Sequence, residues 1–272
     1  MERPITGSMS ASTDRNASEQ RGLKGRFVRL FAGRRRAPLL ETGIRVYAVG
    51  DIHGCTAEFD RLMDVILRDR MDWQGVCHLV FLGDYVDRGP DSRGTVERLL
   101  SPPAGFETCC LRGNHEQTLL GFLDDASLYR GWKDFGGRET LLSYGVMPPR
   151  FDDPAILEET RMAFRSALPQ SHLAFFRALP LSLPIGGYFF AHAGVRPGVA
   201  LEQQSAEDLL WIRDEFLLSS VGFGKVVVHG HTPTAAPVRR SNRVGVDTGA
   251  YATGLLTAAV LEGDDCRFLF SW

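Results

Sequence analysis

The 272-residue chain has no apolar run near the ~20 residues that a membrane-spanning helix requires. Its first residues, MERPITGSMS, lack the apolar core of a secretory leader, so a cytoplasmic protein is expected. Cysteine is scarce. The five present, Cys55, Cys77, Cys109, Cys110 and Cys266, are odd in number and form no C-x-x-C pair. That argues against a disulfide framework or a thiolate zinc site, and the cysteines read as small core residues in a reducing compartment. The net charge of −2 gives no global attraction for nucleic acid. There is no internal repeat, and 44% hydrophobic residues with 24% charged is too ordinary a mixture for a fibrous or wholly disordered chain.

The charge that is present is unevenly placed. Through Thr42 there are nine Lys and Arg against four Asp and Glu, which leaves 22 against 29 in the remainder. The first twenty residues are rich in Ser, Thr and Asn and offer little to bury, so disorder is expected there. The adjoining LKGRFVRLFAGRRRAPLL is basic, with Phe27, Leu30 and Phe31 at helical spacing. A solvated basic tail is the preferred reading of residues 1–42. A short helix in weak contact with an anionic membrane or nucleic acid is the competing one.

From residue 43 to 272 the texture is that of one folded domain. Ile44–Val49, His78–Leu82, Glu107–Leu111, Gly187–Ala191 and Lys225–Val228 are short runs rich in Val, Phe and Tyr, each bounded by Gly or polar residues, and read as strands. Phe59, Leu62, Met63, Ile66 and Leu67 have helical spacing between the first two. Residues 117–178 are mostly helical in pattern, with a loop at Met147–Pro154. Arg243–Val246, Leu255–Leu261 and Asp265–Phe270 return to strands.

The chemistry lies just past the ends of the first five strands. They run in turn into Gly50-Asp51-Ile52-His53-Gly54, Gly83-Asp84-Tyr85-Val86-Asp87-Arg88-Gly89, Arg112-Gly113-Asn114-His115-Glu116, His192-Ala193-Gly194 and His229-Gly230-His231-Thr232-Pro233. In α/β sheets ligands gather at the carboxyl ends of strands, so the clusters are expected to converge. Carboxylate and amide oxygens with imidazoles suit hard and borderline metal ions. Five of the seven histidines lie in these clusters.

In this order the blocks resemble the calcineurin-like metallophosphoesterases, over roughly Val46 to Leu256. GDIHG, GDYVDRG and GNHE resemble the serine/threonine protein phosphatase branch, especially its small bacterial and bacteriophage members. The resemblance implies an α/β fold, a four-layer α-β-β-α sandwich carrying the helical insertion. It implies two divalent ions, one held by Asp51, His53 and Asp84, the other by Asp84, Asn114, His192 and His231. Two ions ~3.5–4 Å apart need a bridging anion, which suits a shared Asp84. A hydroxide bridging them would attack phosphorus, with His115 protonating the leaving oxygen and Asp87 orienting His115. Arg88 and Arg213 resemble the arginines that clamp phosphate. Manganese is the expected metal; iron and zinc also suit such donors. The expected substrate is a phosphoprotein or phosphopeptide.

The nearest alternative is a symmetrical diadenosine tetraphosphatase. That group typically carries Ala where this chain has Asp87 and Asp where it has Glu116. A binding module that merely kept the fold should have lost a ligand or the acid, and none is lost. Among the neighbours, Glu116 reads as a helix-start acid complementing the helix dipole. Arg112 reads as a salt-bridge tether of its loop, and His229 as packing one step behind His231. His78 and His172 read as ordinary residues, and Asp247 as either a brace for a histidine or a turn cap.

Overall fold

Residues 39–272 are described by the computed structural model. β1 (Ile44–Val49), β2 (Val76–Phe81) and β3 (Glu107–Cys110) lie side by side and parallel, with Val46 opposite His78 and Val80 opposite Cys109. Parallel neighbours need crossovers. These are α1 (Thr56–Arg70), which buries Phe59, Leu62, Met63 and Ile66 on one stripe, and α2 (Ser92–Leu99). The helical region comes next: α3 (Asn114–Asp124), α4 (Tyr129–Trp132), α5 (Gly137–Ser143), α6 (Pro154–Ala167) and α7 (Gln170–Ala178). The second half contributes β4 (Ser182–Ile185), β5 (Tyr188–Ala191), α8 (Ala206–Trp211), α9 (Asp214–Leu217), β6 (Val226–His229), β7 (Val238–Arg239) and β8 (Arg243–Gly245). The chain closes with α10 (Ala250–Thr253), β9 (Thr257–Glu262) and β10 (Asp265–Phe270).

The strands form two five-stranded sheets, ordered β10-β9-β1-β2-β3 and β4-β5-β6-β8-β7. Strand alternation assigns the side chains of β1 to two cores. Val46 and Ala48 enter the layer between the sheets, where Val80 and Leu82 meet Tyr188, Phe190, Val228 and Val244. Tyr47 and Val49 face outward onto α1 and the helical region, and Phe189 and Val227 of the second sheet pack on Leu209, Ile212 and Phe216. The result is the α-β-β-α layering expected.

Three details differ from the sequence reading. β4 and β7 were not legible: β4 holds Pro184 on an edge, and β7 has two residues. The helical region begins at Asn114, so Asn114 and His115 form the first turn of α3. Finally, packed chain begins before residue 43. The Leu39 carbonyl accepts from Gly187 N and Leu40 N donates to Gly263 O, while the Leu40 side chain is 1% exposed between the sheets. The basic segment with Phe27, Leu30 and Phe31 lies outside the described residues.

Removal of residues 1–37 should therefore leave turnover of a small phosphoester unchanged. Leu40→Ala should cost about 2–5 kcal/mol of stability, a fall of roughly 5–15 °C in melting temperature. A thermal melt unmoved by Leu40→Ala would show that the strap is not part of the folded body.

Candidate metal centre

The five strand ends converge. Asp51 and His53 leave β1, Asp84 and Asp87 leave β2, and Asn114 and His115 open α3 beyond β3. His192 leaves β5, and His231 stands just past β6. All eight side chains are 5% exposed or less. Charged groups are seldom buried so fully unless paired or bound to metal.

Oδ2 of Asp84 is the hub. Nε2 of His192 lies 3.3 Å from it, Nε2 of His53 3.6 Å and Nε2 of His115 3.8 Å. The other oxygen, Oδ1, accepts from the backbone N–H of His115 at 3.1 Å, which fixes the carboxylate plane. His192 Nδ1 is 2.9 Å from the Leu82 carbonyl and His53 Nδ1 is 2.8 Å from the Val86 carbonyl. A carbonyl can only accept, so each Nδ1 carries a hydrogen and, in the neutral ring, each Nε2 presents a lone pair to the centre. His192 Nε2 then faces Asn114 Oδ1 at 2.8 Å and His231 Nδ1 at 3.1 Å. A neutral His192 thus turns an acceptor toward the Asn114 oxygen, an arrangement that suits a cation between them. Ring N–H groups anchored on backbone carbonyls are the usual support of metal-bound imidazoles.

Two donor groups result: His53, Asp84 and His115 on one side, and Asp84, His192 and His231 on the other. Within each group the ligand atoms lie within 4.8 Å of one another. Asn114 Oδ1 adjoins the second group. The Asp51 carboxylate stands at the side, accepting from His231 N at 3.0 and 3.2 Å. In the first group His115 thus occupies the place expected for Asp51. Nε2 of His231 is buried with no protein partner. These residues fit a pair of divalent ions sharing Asp84.

The electrostatics agree. Burial, then Asp247 and Asp84, holds the Asp51 carboxyl well above the usual carboxylate range. Burial and Asp84 push Glu116 up to about 7. Burial likewise pushes Asp247 up to about 6. Burial and neighbouring imidazoles lower His53 to about 3 and His231 to about 2, which keeps them neutral as ligation requires. For Asp84, burial alone would raise the carboxyl, but the surrounding histidines, led by His192, lower it well below its ordinary value.

The backbone is strained at the same place. Among the described residues, the five non-glycine residues with positive φ are His53 (48°), Asp84 (55°), Asp87 (72°), Arg88 (68°) and His231 (66°). Each such residue costs of order 1–3 kcal/mol, and such residues cluster at functional sites. Two glycines admit close approach. A Cβ on Gly113 would overlap the Asp84 carboxylate, and one on Gly230 would overlap that of Asp51.

The remaining candidates fall around this centre. His115 Nδ1 is 2.6 Å from Asp87 Oδ2. Burial would lower the imidazole, but Asp84 and Asp87 together raise it to about 9. Arg88 lies over the Tyr251 ring at 4.5 Å and its Nε is buried without a partner. Arg213 donates to Thr232 Oγ1 at 3.1 Å, next to His231. Neither arginine is in a salt bridge among the described residues.

Of the neighbours, Glu116 and Arg112 differ from their sequence reading. Glu116 accepts from the backbone N–H groups of Gly113, Asp84, Tyr85 and Val86, far more than a dipole partner would. Arg112 makes no salt bridge among the described residues; it donates to Gln117 and to the carbonyls of Phe176 and Arg177. The carboxylate oxygens of Asp87 take hydrogen bonds from His115, Trp132 and Thr140. Asp247 caps a turn through Gly249 N. His229 packs edge-on against Phe216. Trp132, Thr140 and Tyr251 were missed, because no motif marks them.

Comparison with known proteins agrees with this geometry. The family model described as calcineurin-like phosphoesterase matches residues 44–253. Relatives include an asymmetrical bis(5'-nucleosyl)-tetraphosphatase, PrpE, of Geobacillus, 26% identical over 79% of this chain and 89% of its own. Serine/threonine-protein phosphatase 1 of Salmonella typhimurium is 29% identical over 80% of this chain and 92% of its own. Among solved structures, a candidate diadenosine tetraphosphatase superposes with a TM-score of 0.59 at 23% identity, covering 87% of this chain and 99% of that one. That likeness speaks to the fold.

His231→Ala should cut metal content and reduce turnover by several orders of magnitude. His229→Ala should keep both metals and lose at most ~10-fold. Elemental analysis of the two variants decides, and the reverse order would move the ligand to His229.

Proposed function

The chain belongs to the calcineurin-like phosphoesterases, and on that premise we propose that it hydrolyses phosphoserine and phosphothreonine in proteins. The observation that carries the reading is the 2.6 Å contact between His115 Nδ1 and Asp87 Oδ2, made by two side chains with 3% and 0% exposure. With Nδ1 committed to Asp87, a protonated His115 offers its Nε2–H to whatever sits at the centre. An oriented acid matters most when the leaving group is a poor anion. A serine alkoxide is such a group; a nucleotide released from a dinucleoside polyphosphate is already a stable anion.

The ligands we assign are those that the resemblance implies: Asp51, His53 and Asp84 would hold one ion, and Asp84, Asn114, His192 and His231 the other, while His115, which stands near the first group, is kept for the acid by its contact with Asp87. Two divalent ions, when bound, would polarise a water molecule and neutralise charge on the phosphate. Manganese is the favoured identity, and the oxygen and nitrogen donors also suit iron or zinc. The planar guanidinium groups of Arg88 and Arg213 suit the two outer phosphate oxygens. A water oxygen bonds to phosphorus as the bond to the seryl oxygen breaks. The Nε2 proton of His115 passes to that seryl oxygen, and a proton lost by the water restores His115. The products are inorganic phosphate and a free hydroxyl. The Salmonella relative's name supports this reading, whereas the PrpE name supports dinucleoside tetraphosphates as a second one.

His115→Asn should slow hydrolysis of a phosphoserine peptide by ~10²–10⁴ and of p-nitrophenyl phosphate by much less, with both metals retained. Equal losses on the two substrates would remove the acid role. A clear preference for diadenosine tetraphosphate over phosphopeptides in the same assay would replace the substrate assignment.

A further inference from the structure

Beyond α3, the helical region between β3 and β4 reaches back to the loop after β2 at the carboxylate of Asp87. Trp132 Nε1, at the end of α4, donates to Asp87 Oδ2 at 2.8 Å. Thr140 Oγ1, on α5, donates to Asp87 Oδ1 at 2.5 Å. The backbone N–H of Asp87 donates back, to Thr140 Oγ1 at 2.9 Å and Ser92 Oγ at 3.0 Å. Exposure is 1% for Trp132 and 0% for Asp87, Thr140 and Ser92. Both carboxylate oxygens and the amide of Asp87 are thus satisfied inside the protein, the carboxylate by His115, Trp132 and Thr140.

This is more than polar groups finding partners. A buried indole N–H or hydroxyl could be satisfied by a nearby carbonyl. Here both converge on one carboxylate, and that carboxylate holds the ring of His115. Asp87 also sits at a φ of 72°, a conformation that a residue with a Cβ disfavours. We propose that Trp132 and Thr140 are positioning residues for proton transfer, locking the Asp87 carboxylate plane and so the direction of the His115 Nε2–H. The proposal rests on His115 being the acid. It gives the helical region a task in the chemistry: turnover of poor leaving groups depends on donors that arrive from outside the five strand-end loops.

The test uses Trp132→Phe, which keeps an aromatic ring but removes the donor, and Thr140→Val, which keeps the shape but removes the hydroxyl. Thr140→Ser serves as rescue. Each is made in the full chain, alone and on His115→Asn, with melting temperature and metal content measured. Alone, each donor-deleting variant should lower kcat on a phosphoserine peptide by ~10-fold with little change in KM, as loss of an orienting partner does. The loss on p-nitrophenyl phosphate should be much smaller, and Thr140→Ser should stay near the parent. On His115→Asn neither change should cost anything more, because residues acting through one group are not additive. Equal losses on both substrates, or a further loss on His115→Asn, would make these residues structural and overturn the inference. If His115→Asn itself showed no leaving-group bias, the acid reading would fall first, and the inference with it.

Discussion

The carboxylate of Glu116 is the interaction on which the rest of the centre depends. Its two oxygens accept four backbone N–H groups, three from the loop after β2 and one from the start of α3. Those N–H groups are turned inward because the loop passes through a left-handed residue at Asp84 and a helix begins at Asn114. Unpaired, they would leave buried donors without acceptors, at about 1–3 kcal/mol each. One side chain therefore sets the distance between the β2 loop and the β3 loop, and with it the position of Asp84 relative to Asn114 and His115. Burial and Asp84 push Glu116 up to about 7, so the loops are joined by a group that is itself expensive to keep charged.

The electrostatic character of the centre has the same origin. Asp51, Asp84, Glu116 and Asp247 are buried around the imidazoles of His53 and His231, which burial holds neutral. Without a cation, the protein must carry the raised carboxyls of Asp51, Glu116 and Asp247. A ligand that binds the folded chain alone stabilises it by mass action. Divalent ions at this place would thus act on stability as well as on chemistry.

Much of this was legible in the sequence, for a physical reason. Asp51, His53, Asp84, Asn114, His192 and His231 each sit directly after a strand, where a parallel sheet gathers its ligands, and glycine marks the close approaches. Their convergence could be argued from strand order alone. Trp132 and Thr140 could not be found this way. They lie 45 and 53 residues from Asp87, and a hydrogen bond across that separation leaves no local signature. Glu116 was read from its helix position alone, because its backbone partners are fixed only by tertiary packing. Leu40 falls within the tail on the sequence reading, since two adjacent leucines beside a basic run give no periodicity. β4 and β7 were silent because short edge strands carry too few residues to alternate.

The left-handed backbone at His53, Asp84, Asp87, Arg88 and His231 has a consequence for how such a sequence can drift. At each of these positions glycine would relax the chain, because it adopts positive φ without a Cβ penalty. Backbone strain thus favours, at each of these positions, the residue that would abolish the function. At Asp84 and Asp87 that relief is set against the buried donors of His115, Trp132 and Thr140, which a glycine would leave without acceptors.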